Sequence, residues 1–278
     1  MPGLGIIAGT GDLPRSVAEE AVSQGYRVVV IALKGFTDPS LEQVADEVDW
    51  FKLGQLQKPI SFLKSNEIDR VVMAGKIEKS NLLRPWNMRF DRRALHMIRS
   101  MKDWRDDTVL AAIADEFLKD GIVIVDMTPW VGKLMAPQRV ITRGSPTEKQ
   151  WKDIEFGRTM ARGIGGLDIG QTVVVKNSAV IAVEAIDGTD RAIRRSADLG
   201  IRHCVVVKMA KPAQDMRFDV PGIGPSTIDS MVAAKARVLA IEAGKTMIAG
   251  HDEMVRNAEK AKIIVVGIPA EGPVRILP

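Results

Sequence analysis

Short apolar runs alternate with helical periods through the first half of this chain, and that alternation constrains its fold more than any other feature. Leu4-Gly5-Ile6-Ile7-Ala8 reads as a buried strand. Leu13, Val17 and Ala21, spaced four apart, then mark one helix face, which Gly25 stops. Pro14 falls in the first turn of that helix, where its missing N–H costs nothing. Strands are expected again at Val28 to Leu33, Val48 to Leu53 and Arg70 to Ala74, with a helix over Pro59 to Lys64. The clearest helical period opens at Asp106-Asp107-Thr108, runs through Val109/Leu110, Ile113/Ala114 and Phe117/Leu118, and ends at Gly121. Ile122 to Val125 follows as a strand. Apolar strands separated by helices imply a parallel sheet covered on both faces.

Between Pro129 and Gln150 stand Gly132, Pro137, Gly144 and Pro146, a composition that suits a domain linker. The expected division is 1–134 and 135–278. The second part opens with a helix carrying Trp151, Ile154 and Ala161 on one face. Thr172 to Lys176 and Ala179 to Glu184 flank Asn177-Ser178 and predict a hairpin. A helix over 190–199, a strand over 203–208, a polar loop and two more helix–strand pairs complete it, ending in a strand at Ile263 to Val266.

Composition narrows the class. Hydrophobic residues make up 46% and charged ones 27% of 278, the balance of a soluble globular enzyme. A net charge of +4 is modest, so a nucleic-acid partner is not expected. Cys204 is the only cysteine; it lies in an apolar run, permits no internal disulfide and fits a cytoplasmic home. The N-terminus has no basic region followed by a long apolar one, so no signal peptide is expected. Nor does any apolar stretch reach the ~20 residues of a spanning helix.

Two glycine turns fall where an open α/β sheet binds ligands. Gly9-Thr10-Gly11-Asp12-Leu13-Pro14 joins the first strand to the first helix, so backbone N–H groups and a helix N-terminus can meet a phosphate. Pro14 stands in place of the third glycine of a dinucleotide fingerprint, and the second strand ends without a ribose-binding acid, which disfavours NAD. Gly75-Lys76 follows the strand ending at Ala74, offering a point charge to a phosphate. Each also has a bland reading, a tight turn and a surface lysine. Arg84 to Arg105 interleaves seven bases with Trp86, Phe90, Leu95, Met97, Ile98, Met101 and Trp104. Such a segment suits an anionic bilayer or a phospholipid-like substrate, or else simply faces the core. Trp86, Phe90 and neighbouring methionines are the candidate lining for an apolar ligand.

The acids concentrate in the second half. Gln171 precedes the hairpin, Glu184 ends it, and Asp187-Gly188-Thr189-Asp190 follows. Lys208 ends a strand before Gln214-Asp215-Met216-Arg217-Phe218-Asp219-Val220-Pro221. Carboxylates combined with substrate phosphates suit a hard cation such as magnesium, which neutralises charge and activates water. Lys208 and Arg217 are placed to offset the added charge of a transition state. Turn formation and helix capping are the bland alternatives for Asp187 and Thr189. The three scattered histidines form no zinc motif, and no nucleophile elbow occurs.

Taken together, the first glycine turn, Gly54-Gln55, Ala74-Gly75-Lys76, Asp106-Asp107-Thr108, Leu167 to Gln171, Ala182 to Asp190 and Gln214 to Pro221 resemble the metal-dependent UDP-2,3-diacylglucosamine pyrophosphatases of the LpxI type. One departure is visible: Trp104-Arg105 stands where a glycine is expected before the paired aspartates. The resemblance implies an α/β protein with an N-terminal Rossmann-like parallel-sheet domain, a distinct C-terminal α/β domain, and the active site in the cleft between them. It implies hydrolysis to UMP and 2,3-diacylglucosamine 1-phosphate in lipid A biosynthesis, with Mg2+ or Mn2+, in the cytoplasm at the inner-membrane surface. Asp219 is then the essential acid, as metal ligand or general base. Glu184, Asp187, Asp190 and Asp215 are further metal candidates. Gly11, Asp12, Gly75, Lys76, Gln171, Thr189, Lys208 and Gln214 are candidates for binding substrate. The competing reading is a non-catalytic nucleotide- or lipid-binding module, for which so many acids and cations near Asp219 would be superfluous.

Overall fold

A computed structural model describes residues 1–75, 88–102 and 106–275. Lys76, Arg84, Trp86 and Trp104-Arg105 therefore lie outside the described residues. The chain divides into two compact units, Met1–Val131 with Met216–Phe218, and Gly132–Asp215 with Asp219–Pro278.

The first unit holds β1 (Gly3–Ala8), α1 (Leu13–Ser23), β2 (Arg27–Leu33), β3 (Glu47–Phe51), α2 (Gln57–Ser65), β4 (Arg70–Ala74), α3 (Arg92–Ser100), α4 (Asp106–Leu118) and β5 (Val123–Ile124). Its strands are parallel in the order β3-β2-β1-β4-β5. Near-continuous apolar strands demand cover on both faces. Val17, Ala18 and Ala21 of α1 are fully buried on one side. Ile60 and Leu63 of α2, with Phe117 of α4, join Val29, Ile31 and Val71 in a core on the other. Each such fully buried aliphatic side chain contributes about 2 kcal/mol through apolar area alone.

The basic segment is helical only over Arg92–Ser100 within the described residues. Asp91 explains where that helix starts. Its Oδ1 accepts the Ala94 N–H at 2.8 Å, while its Oδ2 accepts the N–H groups of Leu56 and Gln57 at 2.8 and 2.7 Å. One carboxylate thus serves the first turns of α2 and α3, where backbone donors have no partner within the helix.

The second unit holds α5 (Glu148–Gly166), β6 (Thr172–Lys176), β7 (Ala179–Val183), α6 (Thr189–Arg195), β8 (Val205–Lys208), β9 (Gly222–Ile223), α7 (Pro225–Ala233), β10 (Val238–Glu242), β11 (Met247–Ile248), α8 (His251–Lys260) and β12 (Ile264–Ile268). The main sheet runs β12-β10-β8-β6-β7. Its β8, β10 and β12 are mutually parallel; β6 runs antiparallel to β8, and β7 antiparallel to β6 in the expected hairpin. The strand period of two separates the cores cleanly. Val173, Val175, Val205 and Val207 pack with Trp151, Ile154 and Ala161 of α5. Val174, Val206, Leu239 and Ile241 pack with Ile193, Ile228, Met231 and Met254 on the opposite side. A Cβ on Gly157 would fall 2.5 Å from Val207 Cγ2, so glycine is what lets α5 approach the sheet this closely. Cys204 is buried, and burial pushes its thiol up, as befits an unreactive core residue.

Candidate functional site

Strand order places the first group of candidates. The chain runs outward from β1 through β2 to β3, then crosses back to β4 on the other side of β1. The connections leaving β1 and β4 consequently diverge at their carboxyl ends, the position at which open α/β sheets bind ligands. Gly9 to Asp12 and Gly75 stand there. The Gly9 N–H donates to the Ala74 carbonyl at 2.8 Å, holding the two turns together. Gly75 has φ +90°, and a Cβ on it would fall 2.7 Å from the Thr10 carbonyl oxygen and 2.9 Å from the Gly9 carbonyl carbon. Gly11 shares that φ but faces open space. Asp12 precedes α1 without using its side chain as a cap, so its exposed carboxylate is not committed to the helix.

The second group lies at one edge of the other unit's sheet. Thr172 begins β6 opposite Lys208, the last residue of β8, because the two strands are antiparallel. The Glu184 N–H donates to the Thr172 carbonyl at 2.9 Å, which brings the end of the hairpin to the same edge. There Lys208 Nζ donates to Thr189 Oγ1 at 2.8 Å, and Thr189 Oγ1 donates to Glu184 Oε1 at 2.9 Å. The Gln171 N–H meets Glu184 Oε2 at 3.4 Å. Lys208 and Glu184 are 5% and 8% exposed. Withdrawing an ammonium and a carboxylate from water costs several kcal/mol each, which the Thr189 bridge between them partly offsets. The spacing of Gln171, Glu184, Thr189 and Lys208 along the sequence conceals this chain, which tertiary pairing assembles.

The loop beyond β8 carries the third group. Gln214 Nε2 donates to Asp219 Oδ2 at 2.5 Å and to the Asp219 carbonyl at 2.9 Å. The Asp219 N–H donates to the Asp215 carbonyl at 3.1 Å, closing a turn that leaves both carboxylates exposed. Nearby in sequence, Lys211 pairs with Asp168 at 2.5 Å.

Other acids are engaged differently. Asp187 Oδ1 accepts the Ala185 N–H at 3.1 Å, and Oδ2 pairs with Arg195. The Ala185 N–H and the Arg195 guanidinium hold the Asp187 carboxyl below the usual range. Asp190 occupies the first turn of α6, where a carboxylate favours the helix dipole. Among the described residues, no three His, Cys, Asp or Glu side chains gather into a group able to hold a metal ion. Glu184, Asp187, Asp190, Asp215 and Asp219 therefore do not form a protein-only cage.

Two residues at these edges carry no motif in sequence. Glu242, at the end of β10 and 2% exposed, accepts the Ala210 N–H at 2.9 Å and so holds the root of the Gln214–Asp219 loop. Thr37 donates to the Ala8 carbonyl at 2.5 Å and accepts the Leu33 N–H at 2.8 Å, joining the ends of β1 and β2. A buried acid at a strand's carboxyl end is the only local signal for Glu242, and Thr37 offers none.

Comparison with known proteins places this geometry. Residues 3–134 match the LpxI N-terminal domain and residues 137–266 the LpxI C-terminal domain. The UDP-2,3-diacylglucosamine pyrophosphatase LpxI of Caulobacter vibrioides is 33% identical over 97% of this chain and 99% of its own length. Solved structures are more distant. A phosphoribosylglycinamide synthetase from Anaerococcus prevotii has a TM-score of 0.27 at 12% identity, covering 74% of this chain and 44% of its own. A glycinamide-RNase-transformylase T from Mycobacterium tuberculosis has a TM-score of 0.23 at 13% identity, covering 66% and 44%. The chain thus spans less than half the length of either, and neither likeness bears on its function. With both domain models matched in order and a relative aligned end to end, this chain belongs to the LpxI family.

Proposed function

We propose that this protein hydrolyses the pyrophosphate of UDP-2,3-diacylglucosamine to UMP and 2,3-diacylglucosamine 1-phosphate, a step of lipid A biosynthesis, from the cytoplasmic side of the inner membrane. End-to-end similarity to a pyrophosphatase of that name supports the substrate. The observation that carries the chemistry is the Asp219 carboxylate, exposed to an incoming ligand yet oriented by Gln214, which donates to it and to the carbonyl of the same residue. An oriented carboxylate within reach of water suits a general base.

In this reading a water attacks one phosphorus in line. The new P–O bond forms as the bond to the bridging oxygen breaks, the water proton passes to Asp219, and the bridging oxygen leaves with the other phosphate. Lys208, tied through Thr189 to Glu184, offsets the charge on the phosphates. Gln171, whose N–H lies against Glu184, binds a further polar part of the substrate. With Asp219 as the base, Asp215 is the exposed carboxylate that would hold Mg2+ or Mn2+ with the substrate phosphates. Such an ion supplies charge neutralisation and a more acidic water. Among the described residues no helix is long and apolar enough to cross a membrane.

The test is UMP release from UDP-2,3-diacylglucosamine by purified wild type and Asp219→Ala, with magnesium and with excess chelator. Chelator-sensitive release, reduced about 10²-fold or more in a folded variant, is the expected result. Folded wild type that releases no UMP overturns the hydrolase reading.

A further inference from the structure

We propose that the outward face of α3, with the residues that flank it, docks on an anionic lipid surface. Positions 92, 95, 96 and 99 lie on one helical face by their spacing, and all four are exposed. They are Arg92, Leu95, His96 and Arg99. The opposite face supplies Ala94 and Met97 to the core. Arg89 and Phe90 before the helix and Lys102 after it are exposed as well. Phe90 and Leu95 are 42% and 40% exposed, so two large apolar side chains stand among four cations.

The charge of this face is of one sign because its counter-charges are spent elsewhere. Asp91 is the only acid between Met88 and Lys102, and backbone N–H groups occupy both its oxygens. Arg93 turns inward to Glu116 and Asp120. Among the described residues no ion pair engages Arg89, Arg92, Arg99 or Lys102. Bases that are neither paired nor buried, interleaved with apolar side chains, match an interface that is anionic at its surface and apolar just beneath. A nucleic acid or an acidic protein would satisfy the bases but leave Phe90 and Leu95 without a role. This inference stands on the face itself and does not require that the protein be a hydrolase.

Flotation with vesicles tests it, using the full chain and no substrate. Wild type is expected to float with equal mixtures of phosphatidylcholine and phosphatidylglycerol, not with phosphatidylcholine alone, and to be released by salt. A base near an anionic surface is worth roughly fivefold in partitioning, so Arg92→Glu with Arg99→Glu is expected to lower binding about thirtyfold or more. Arg92→Gln with Arg99→Gln serves if the reversed charges disturb folding, which circular dichroism reports. Leu95→Gln is expected to weaken binding severalfold with all charges intact. Wild type that ignores the mixed vesicles, or a folded double variant that binds them equally, overturns the proposal. So does competition by RNA combined with an unaffected Leu95→Gln, which would identify a polyanion site instead.

Discussion

Gln214 grips Asp219 twice, donating from Nε2 to the carboxylate at 2.5 Å and to the same residue's carbonyl at 2.9 Å. The side chain and the backbone of Asp219 are therefore oriented as one piece. Hydrogen bonds to a charged acceptor are worth about 1.5–3 kcal/mol, so Gln214→Ala is expected to lower kcat for UMP release roughly 10- to 100-fold. KM is expected to change less, because the contact orients a reacting group. An unchanged kcat would remove Gln214 from the catalytic arrangement.

Gly75 and Gly11 make a paired prediction at the other glycine-bearing edge. Both have φ +90°, but only Gly75 faces backbone atoms at 2.7–2.9 Å. Gly11→Ala is expected to cost about 1 kcal/mol from its left-handed φ alone. Gly75→Ala adds overpacking and is expected to cost about 2–4 kcal/mol, separating the turns after β1 and β4. Urea denaturation measures both, and equal costs would show that the turns yield freely.

The hairpin turn gives two changes of opposite sign. Asp153 of α5, 4% exposed, accepts the N–H groups of Asn177 and Ser178 at 3.1 and 2.7 Å. Asp153→Ala leaves both donors unpaired and is expected to cost about 2–4 kcal/mol. Asn177 and Ser178 both have positive φ, the backbone of a two-residue turn that prefers glycine second. Ser178→Gly is accordingly expected to stabilise by about 0.5 kcal/mol, since relief of the left-handed φ exceeds the added freedom of the unfolded chain. Thermal unfolding of the two variants checks both signs.

Arg93 makes the first unit acid-sensitive. It binds Glu116 at 2.8 Å and Asp120 at 2.5 Å, joining α3 to α4. Burial alone would raise the Glu116 carboxyl, but hydrogen bonds from Lys119 and Arg93 outweigh it and hold the group below its usual value. Bonds from Lys64 and Arg93 do the same for Asp120. A folded pKa below the unfolded one means stability that is present above the unfolded carboxylate value and lost as pH falls through the folded one. Unfolding is thus expected to become easier below about pH 4, the ordinary carboxylate range. Arg93→Met is expected to cost about 2 kcal/mol at neutral pH and to flatten that acid limb. An equally steep limb in the variant would assign the acid loss to other groups.

What could be read directly from sequence is what depends on neighbours a few residues apart. Apolar runs announce β1, β2, β4, β6 and β8. Four-residue spacing announces α1 and α4, and Asn177-Ser178 announces the hairpin. The LpxI resemblance rests on contiguous motifs and is legible in the same way. Edges were less legible: β3 closes at Phe51 rather than Leu53, and β12 runs on to Ile268 rather than Val266. Strand ends follow the partner's last hydrogen bond, which hydrophobicity does not encode. The crossing from β3 back to β4, which makes Gly75 a neighbour of Gly9, is a property of sheet order alone. So is the antiparallel pairing of β6 with β8, which sets Thr172 opposite Lys208 and lets Thr189 bridge Lys208 to Glu184. Asp91, Asp153, Glu242 and Thr37 look like ordinary polar residues in the chain. Their roles come from backbone donors and acceptors brought to them from 24 or more positions away, because a buried N–H or C=O must be paired and only the tertiary fold decides by which side chain.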